Sequence, residues 1–251
     1  MIVADYMRHA GTTALGVQER RVAKRPIFIP LVDGKRFVLE HFVDFQWHAG
    51  FAKSQKQRSI RELHEMAFKT YHVVNPLEVS SKSEDTLGVA LSSFNLKFTT
   101  QKGRVLTVEA AFQGSKVFQR GGPFTDIFEK QPMEAKRDER LRESGPLLAF
   151  SFFGEQWPLQ PLTAFYDWLY IRALLKNPDL ARAVTDFDGF TDIEFNPEKS
   201  INCQARAVAL YCALYHSDRL ESALESKTSF MGLYQGRVSD PHRPNEVRYL
   251  I

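Results

Sequence analysis

The first ordered pattern along the chain is a short apolar run, Pro26 to Val32, followed by a hairpin-turn signal at Asp33, Gly34 and Lys35 and a second strand-like run from Arg36 to Trp47. Between Gly50 and Lys69, residues Ile60, Leu63, His64 and Ala67 fall at helical spacing, and Ser59 is placed to cap the start. Leu77–Ser81 and Asn95–Thr100 read as strands, with Lys102 and Gly103 marking the turn that follows. From Thr107 onward the chain reads as mostly helical. Thr107 opens a helix running to Phe118, and Pro132, a good first-turn residue, opens a stretch rich in helix formers. Leu147–Gly154 is a strand or buried segment. Leu162–Asn177 is apolar nearly all round, which argues burial. Asn202–Ser217 is a last strong helix with Val208, Tyr211, Cys212 and Tyr215 on one face.

This pattern predicts an α+β fold, divided into an N-terminal arm (1–26), a small strand-rich extension (27–76), a mainly helical domain (77–231) and a polar tail (232–251). Arg20, Arg21, Lys24 and Arg25 cluster in the arm, either as a solvated tail or as a contact to a phosphate backbone.

Composition narrows the class. The 251 residues are 43% hydrophobic and 25% charged, the balance of a soluble globular chain. No apolar run approaches the roughly 20 residues that span a bilayer, and the N-terminus lacks a signal-peptide core, so a cytoplasmic protein without a membrane role is expected. Cys203 and Cys212, on one predicted helix, stand about 13 Å apart at 1.5 Å per residue, too far for a disulfide. Phe occurs 20 times, enough to fill a core and to leave rings for stacking on bases. The formal net charge of +3 does not by itself indicate nucleic-acid binding.

Several chemistries lack their motifs. There is no phosphate-binding P-loop, no dinucleotide fingerprint, no H-E-x-x-H, no Cys-x-x-Cys and no G-x-S-x-G elbow. None of the seven histidines is paired at metal spacing, so neither a metal nor another cofactor is expected.

Three stretches carry candidate chemistry. On the predicted helix from Thr107, Glu109, Phe112, Gln113 and Lys116 stand at i, i+3, i+4 and i+7 and line one face, with Glu109 near the positive end of the helix dipole. They suit a cleft wall, or equally an exposed face with Phe112 tucked inward. Between the last two long helices, Asp186, Asp188, Asp192, Glu194 and Glu198 concentrate acid, and Asn202 is placed to cap the final helix, whose N-terminus would suit an anion. The alternative is a set of loop acids with an ordinary cap. In the third stretch Gly88 allows close approach, Ser92, Ser93 and Asn95 offer hydrogen bonds, Phe94 can stack on a base and Lys82 can meet a phosphate; a plain strand and turn is the alternative.

Taken in order, residues 92–98 (SSFNLKF), 102–118 (KGRVLTVEAAFQGSKVF), 133–141 (MEAKRDERL) and 191–207 (TDIEFNPEKSINCQARA) resemble the NADAR family, the NAD- and ADP-ribose-associated domain. The family's usual His-Tyr after the glutamate is Ala110-Ala111 here, and its Trp-Gly after the loop aspartate is replaced by residues 193–195 (IEF). The N-terminal part, with residues 50–60, 78–83 and 163–171, resembles the branch that accompanies DarT-type DNA ADP-ribosyltransferase toxins.

That resemblance implies a mainly helical NADAR-like fold. It also implies an antitoxin that hydrolyses the N-glycosidic bond between ADP-ribose and guanine in DNA, with ADP-ribose as product and a DarT-type toxin as cognate partner. It points to Glu109 and Asp192 as acid–base groups and to Lys116 as a ribose contact or a nucleophile. Ser92, Phe94, Asn95, Phe112, Gln113, Lys82 and Asn202 would bind substrate. A non-catalytic module for ADP-ribose or for the toxin, or an N-glycosidase acting on a free nucleotide-like metabolite, are the competing readings.

Overall fold

The computed structural model of the chain describes residues 21–33 and 36–235. Most of the expected arm, including Arg20, lies outside the described residues, as do Gly34 and Lys35 of the expected turn and the tail beyond residue 235. The first half of the chain forms β1 (Arg21–Pro30), β2 (Val38–Trp47), α1 (Lys53–Tyr71), β3 (Pro76–Glu78), α2 (Thr86–Ala90), β4 (Lys97–Thr99), β5 (Val105–Thr107) and α3 (Val108–Gly114). There follow β6 (Lys116–Phe118), α4 (Pro132–Arg137), α5 (Arg140–Glu143), β7 (Leu147–Phe152), β8 (Glu155–Pro158) and α6 (Ala164–Leu175). The last elements are α7 (Pro178–Ala183), β9 (Gly189–Thr191), α8 (Gln204–His216), α9 (Leu220–Leu224) and α10 (Lys227–Gly232). The fold is α+β.

The largest sheet has the order β2-β1-β9-β3. β1 and β2 pair antiparallel along their full length, from Arg21 opposite Trp47 to Pro30 opposite Val38. β9 lies antiparallel to β1 at Ile27 and Phe28, and parallel to β3. Alternation along β1 sends neighbouring residues to opposite faces. Ile27 joins Val43, Phe45, Ile60, Leu63, Ala67, Val73 and Ile193 in a small core under α1. Phe28 enters the main core with Leu77, Phe190 and the buried sides of α6 and α8. The sheet is therefore covered on both faces. α8 runs through the middle of the main core and Gln204 to Leu214 are all buried; its polar members are paired, Gln204 with the Ser92–Asn95 turn and Arg206 with Asp167.

Three expectations are corrected. Arg21, Lys24 and Arg25 are strand residues of β1, and Arg25 and Lys56 both lie over the Trp47 ring. Ser59 does not cap α1: the helix starts at Lys53 with no side-chain cap, and Ser59, fully buried, accepts a hydrogen bond from the His48 N–H at 2.9 Å. The helix expected to run from Thr107 to Phe118 ends at Gly114, and Lys116–Phe118 form β6, in a three-stranded antiparallel sheet with β7 and β8.

Gly88 does permit close approach. A Cβ built there would lie 2.0 Å from the Glu78 carbonyl oxygen and 2.5 Å from Ser83 Oγ. Backbone cannot yield as a flexible side chain does. Gly88→Ala should therefore destabilise the fold by about 1–3 kcal/mol, the usual cost of overpacking, read as a lower urea midpoint. An unchanged midpoint would show that β3 and α2 are looser than their spacing indicates.

Candidate active site

Thr107 caps α3 as its sequence position predicts, its Oγ1 accepting from the Ala110 N–H at 3.2 Å. The next free N–H of the helix, that of Glu109, donates to the Ser93 carbonyl at 3.0 Å, which docks the helix start on the Ser92–Asn95 turn. Both oxygens of Glu109 are acceptors: Oε2 from Ser93 Oγ (3.1 Å) and Oε1 from Gln113 Nε2 (2.9 Å), one helical turn on. Each of these two side chains is 6% exposed, and Gln113 Oε1 has no partner among the described residues.

Lys116 is not on the helix. α3 ends at Gly114, where a Cβ would press within 2.5 Å of the Phe128 ring, and Lys116 opens β6. Its amine nevertheless lies 5.0 Å from the Phe112 ring centroid, in the field of Glu109. Burial pushes the amine down to about 8, with Glu109 opposing that shift and Lys136 adding to it. Carboxyl, amide and amine thus meet in the interior, brought together by a helix–strand junction and not by a helical stripe. Phe112 fills the space behind them, edge-on to Tyr166 with ring centroids 5.0 Å apart.

The Ser92–Asn95 turn is fixed by Gln204, the first residue of α8. Its Oε1 accepts from the Ser93 N–H at 2.7 Å, and its Nε2 donates to the Val79 carbonyl at 2.6 Å. Ser92 is buried, Phe94 is half-buried with the Lys136 amine 5.4 Å from its ring, and Asn95 is exposed with its amide donating to the Val89 carbonyl. Lys82 sits half-buried in the Ser80–Ser83 turn, its N–H bonded to Ser80 Oγ.

The acidic stretch divides. Asp188 is structural, accepting the N–H groups of Val74 and Asn75 at 2.8 Å each. Glu194 pairs with Lys56 at 3.1 Å. Asp192 lies between α7 and α8 as expected, but directly after the short strand β9, and it is buried, with Oδ1 accepting from the Glu194 N–H at 3.0 Å. Glu78 on β3 is buried close by, accepting from Thr191 Oγ1 (2.7 Å) and the Ile193 N–H (2.8 Å). Since the Thr191 hydroxyl donates to Glu78, His64 Nε2, 2.8 Å from that hydroxyl, is the donor to it. Burial pushes His64 down to about 4, so the ring is neutral.

Burial raises both acids, and their mutual repulsion holds Asp192 far above the ordinary carboxylate range. Asp192 accepts only backbone N–H groups, whereas Glu78 accepts the Ile193 N–H and the Thr191 hydroxyl, and burial with Glu78 beside it raises Asp192 the further, so Asp192 is the member that keeps its proton.

Two contributors were not legible in the sequence. Tyr166 of α6 is buried, and both Glu109 and Asp192 act on its hydroxyl, adding to burial in keeping it protonated. That hydroxyl has no hydrogen-bond partner among the described residues. Its only sequence signal was a tyrosine in a helix with no polar face. Glu78 was part of a predicted strand with nothing to mark it as Asp192's neighbour.

Asn202 does not cap α8. Cys203 holds the capping position without a side-chain bond, and Asn202 Oδ1 is buried with no partner among the described residues. Among the described residues no three His, Cys, Asp or Glu side chains are grouped to hold a metal ion, and no helix is long and apolar enough to cross a membrane.

No curated protein matches the chain. Residues 23–243 match the family model described as DarT1-associated NADAR antitoxin, and the chain, buried carboxyls and all, belongs to that family.

Proposed function

We propose that this antitoxin hydrolyses the N-glycosidic bond joining ADP-ribose to a guanine base of DNA, in the cytoplasm, reversing the modification made by its cognate toxin. The observation that carries the reading is the pair of buried carboxyls, Glu109 and Asp192, both acting on the Tyr166 hydroxyl, one accepting at both oxygens and the other holding its proton. Cleavage at the ribose C1″ develops positive charge on the sugar. Glu109 offsets that charge and takes a proton from the attacking water. The water oxygen bonds to C1″ as the C1″–N bond breaks, and Asp192 gives its proton to the departing guanine nitrogen. No step needs a metal or another cofactor. The unpartnered Gln113 Oε1 is free to accept from a ribose hydroxyl. Ser92, Phe94 and Asn95 hold the adenosine end, Phe112 backs the site, and Lys82, Asn202 and the start of α8 hold the pyrophosphate.

The direct test incubates an oligonucleotide carrying ADP-ribosylated guanine with the protein and measures free ADP-ribose. Release supports hydrolysis. Saturable binding without release would make the protein a binding module. Stronger competition by a free nucleotide-like metabolite would move the substrate class.

Lys116 acts as an ammonium that holds the distal ribose or its phosphate. With the amine at about 8, kcat/KM should fall as pH rises through that value, because the charged form is lost. The limb should vanish in Lys116→Gln. A rate that rises through pH 8 in the wild type would instead make the neutral amine a nucleophile toward the opened sugar.

A further inference from the structure

An open groove of about 470 Å³ lies beside the C-terminal end of α3, lined by Lys102, Arg104, Thr125, Phe128, Ser151 and Phe153. None of these residues enters the chemistry above. The groove adjoins it, however: the Ser151 N–H donates to the carbonyl of Ser115 at 2.7 Å, and Phe128 is the ring packed against Gly114. Along the helix, Ser115 is about 9 Å from Glu109 at 1.5 Å per residue.

Phe153 is the unusual residue. It sits in the two-residue turn between β7 and β8 with φ at +47°, followed by Gly154 at +88°. Asn-Gly or Asp-Gly satisfies such a turn, and a bulky side chain there is strained. The strain is not repaid by burial, because Phe153 is 54% exposed. Its ring rests near Phe128 and Phe152, with centroids 5.6 and 4.6 Å away. Of the two cations in the lining, Arg104 is committed to Glu129, whereas Lys102 makes no ion pair among the described residues. An exposed ring and an uncommitted ammonium lining one groove fit a single nucleic-acid strand, whose unpaired base stacks on the ring while its phosphate meets the cation. A duplex offers no free base face.

We propose that this groove binds unmodified single-stranded DNA flanking the modified guanine, with a base on Phe153 and a phosphate on Lys102. The identity of the ligand rests on the hydrolase reading above; the groove itself does not. Fluorescence anisotropy with an unmodified labelled oligonucleotide tests it, comparing wild type with Phe153→Asn and Lys102→Gln. Asn adopts the left-handed backbone readily, so Phe153→Asn should keep or raise Tm and weaken single-strand binding about tenfold. Lys102→Gln should reduce the slope of log K against log salt by about 0.7. Both variants should release ADP-ribose from an ADP-ribosylated guanine nucleoside at the wild-type rate, while KM rises on the oligonucleotide.

Unchanged anisotropy in both variants, or duplex bound as tightly as single strand, overturns the proposal. So does loss of toxin binding with DNA binding intact, which would make the groove a protein-docking surface. If wild type releases nothing from the nucleoside, the hydrolase reading fails, and the anisotropy still judges the groove.

Discussion

Glu109→Gln is expected to lower ADP-ribose release from modified DNA by about 10²-fold or more, the usual weight of a general acid–base group, while binding of free ADP-ribose stays near wild type. The substitution is nearly isosteric, and the site can absorb it. The new amide can keep its oxygen on Gln113 Nε2 and turn its NH₂ to Ser93 Oγ, whose hydroxyl rotates to accept, so Gln113 Oε1 stays free for the ribose. Loss of turnover should therefore appear without loss of Tm. A variant that cleaves at the wild-type rate removes Glu109 from the chemistry. One that loses both turnover and fold calls for Glu109→Asp, which keeps the charge and moves it back by one methylene.

Asp192→Asn should separate activity from stability more sharply. Without a proton for the leaving base, turnover should fall by about 10²–10⁴-fold. Stability should move the other way. In the folded chain, burial and Glu78 raise the Asp192 pKa well above the ordinary carboxylate value near 4. Between that value and the raised one the folded state binds more protons than the unfolded state, so wild-type stability falls as pH rises. The amide removes that loss, and its oxygen can still accept from the Glu194 N–H. Thermal melts from pH 5 to 8 should show a flatter profile and a higher Tm at neutral pH for the variant. A lower Tm with full activity would mean that Asp192 is a structural acid.

The long elements were legible because each carries its own period. β2, α1, α6 and α8 stand where the apolar pattern places them, as do the Thr107 cap and Pro132 at a first helical turn, whereas β1 begins at Arg21, ahead of its apolar run, because pairing with β2 extends it. The short strands were not legible. β6 and β9 are three residues each, and β9 is held by partners more than 100 positions away in sequence, which no local pattern records. The candidate site follows the same division. Glu109 and Gln113 sit one helical turn apart on α3. Lys116 joined them for a reason the helical spacing did not contain, and Tyr166 and Glu78 reached the site through packing of α6 and β3. Asn202 was misread because its position before α8 suits a cap, whereas the backbone places Cys203 there.

β9 lies between a strand from the beginning of the chain and one that follows α1. The carboxyl at its end is therefore seated only when regions some 160 residues apart have met. A fragment that stops ahead of β9 lacks the Asp192 carboxyl altogether. A chain clipped ahead of β2 keeps that carboxyl but leaves one side of β9 unpaired. Seating of this carboxyl is thus a property of the assembled sheet and not of any local segment.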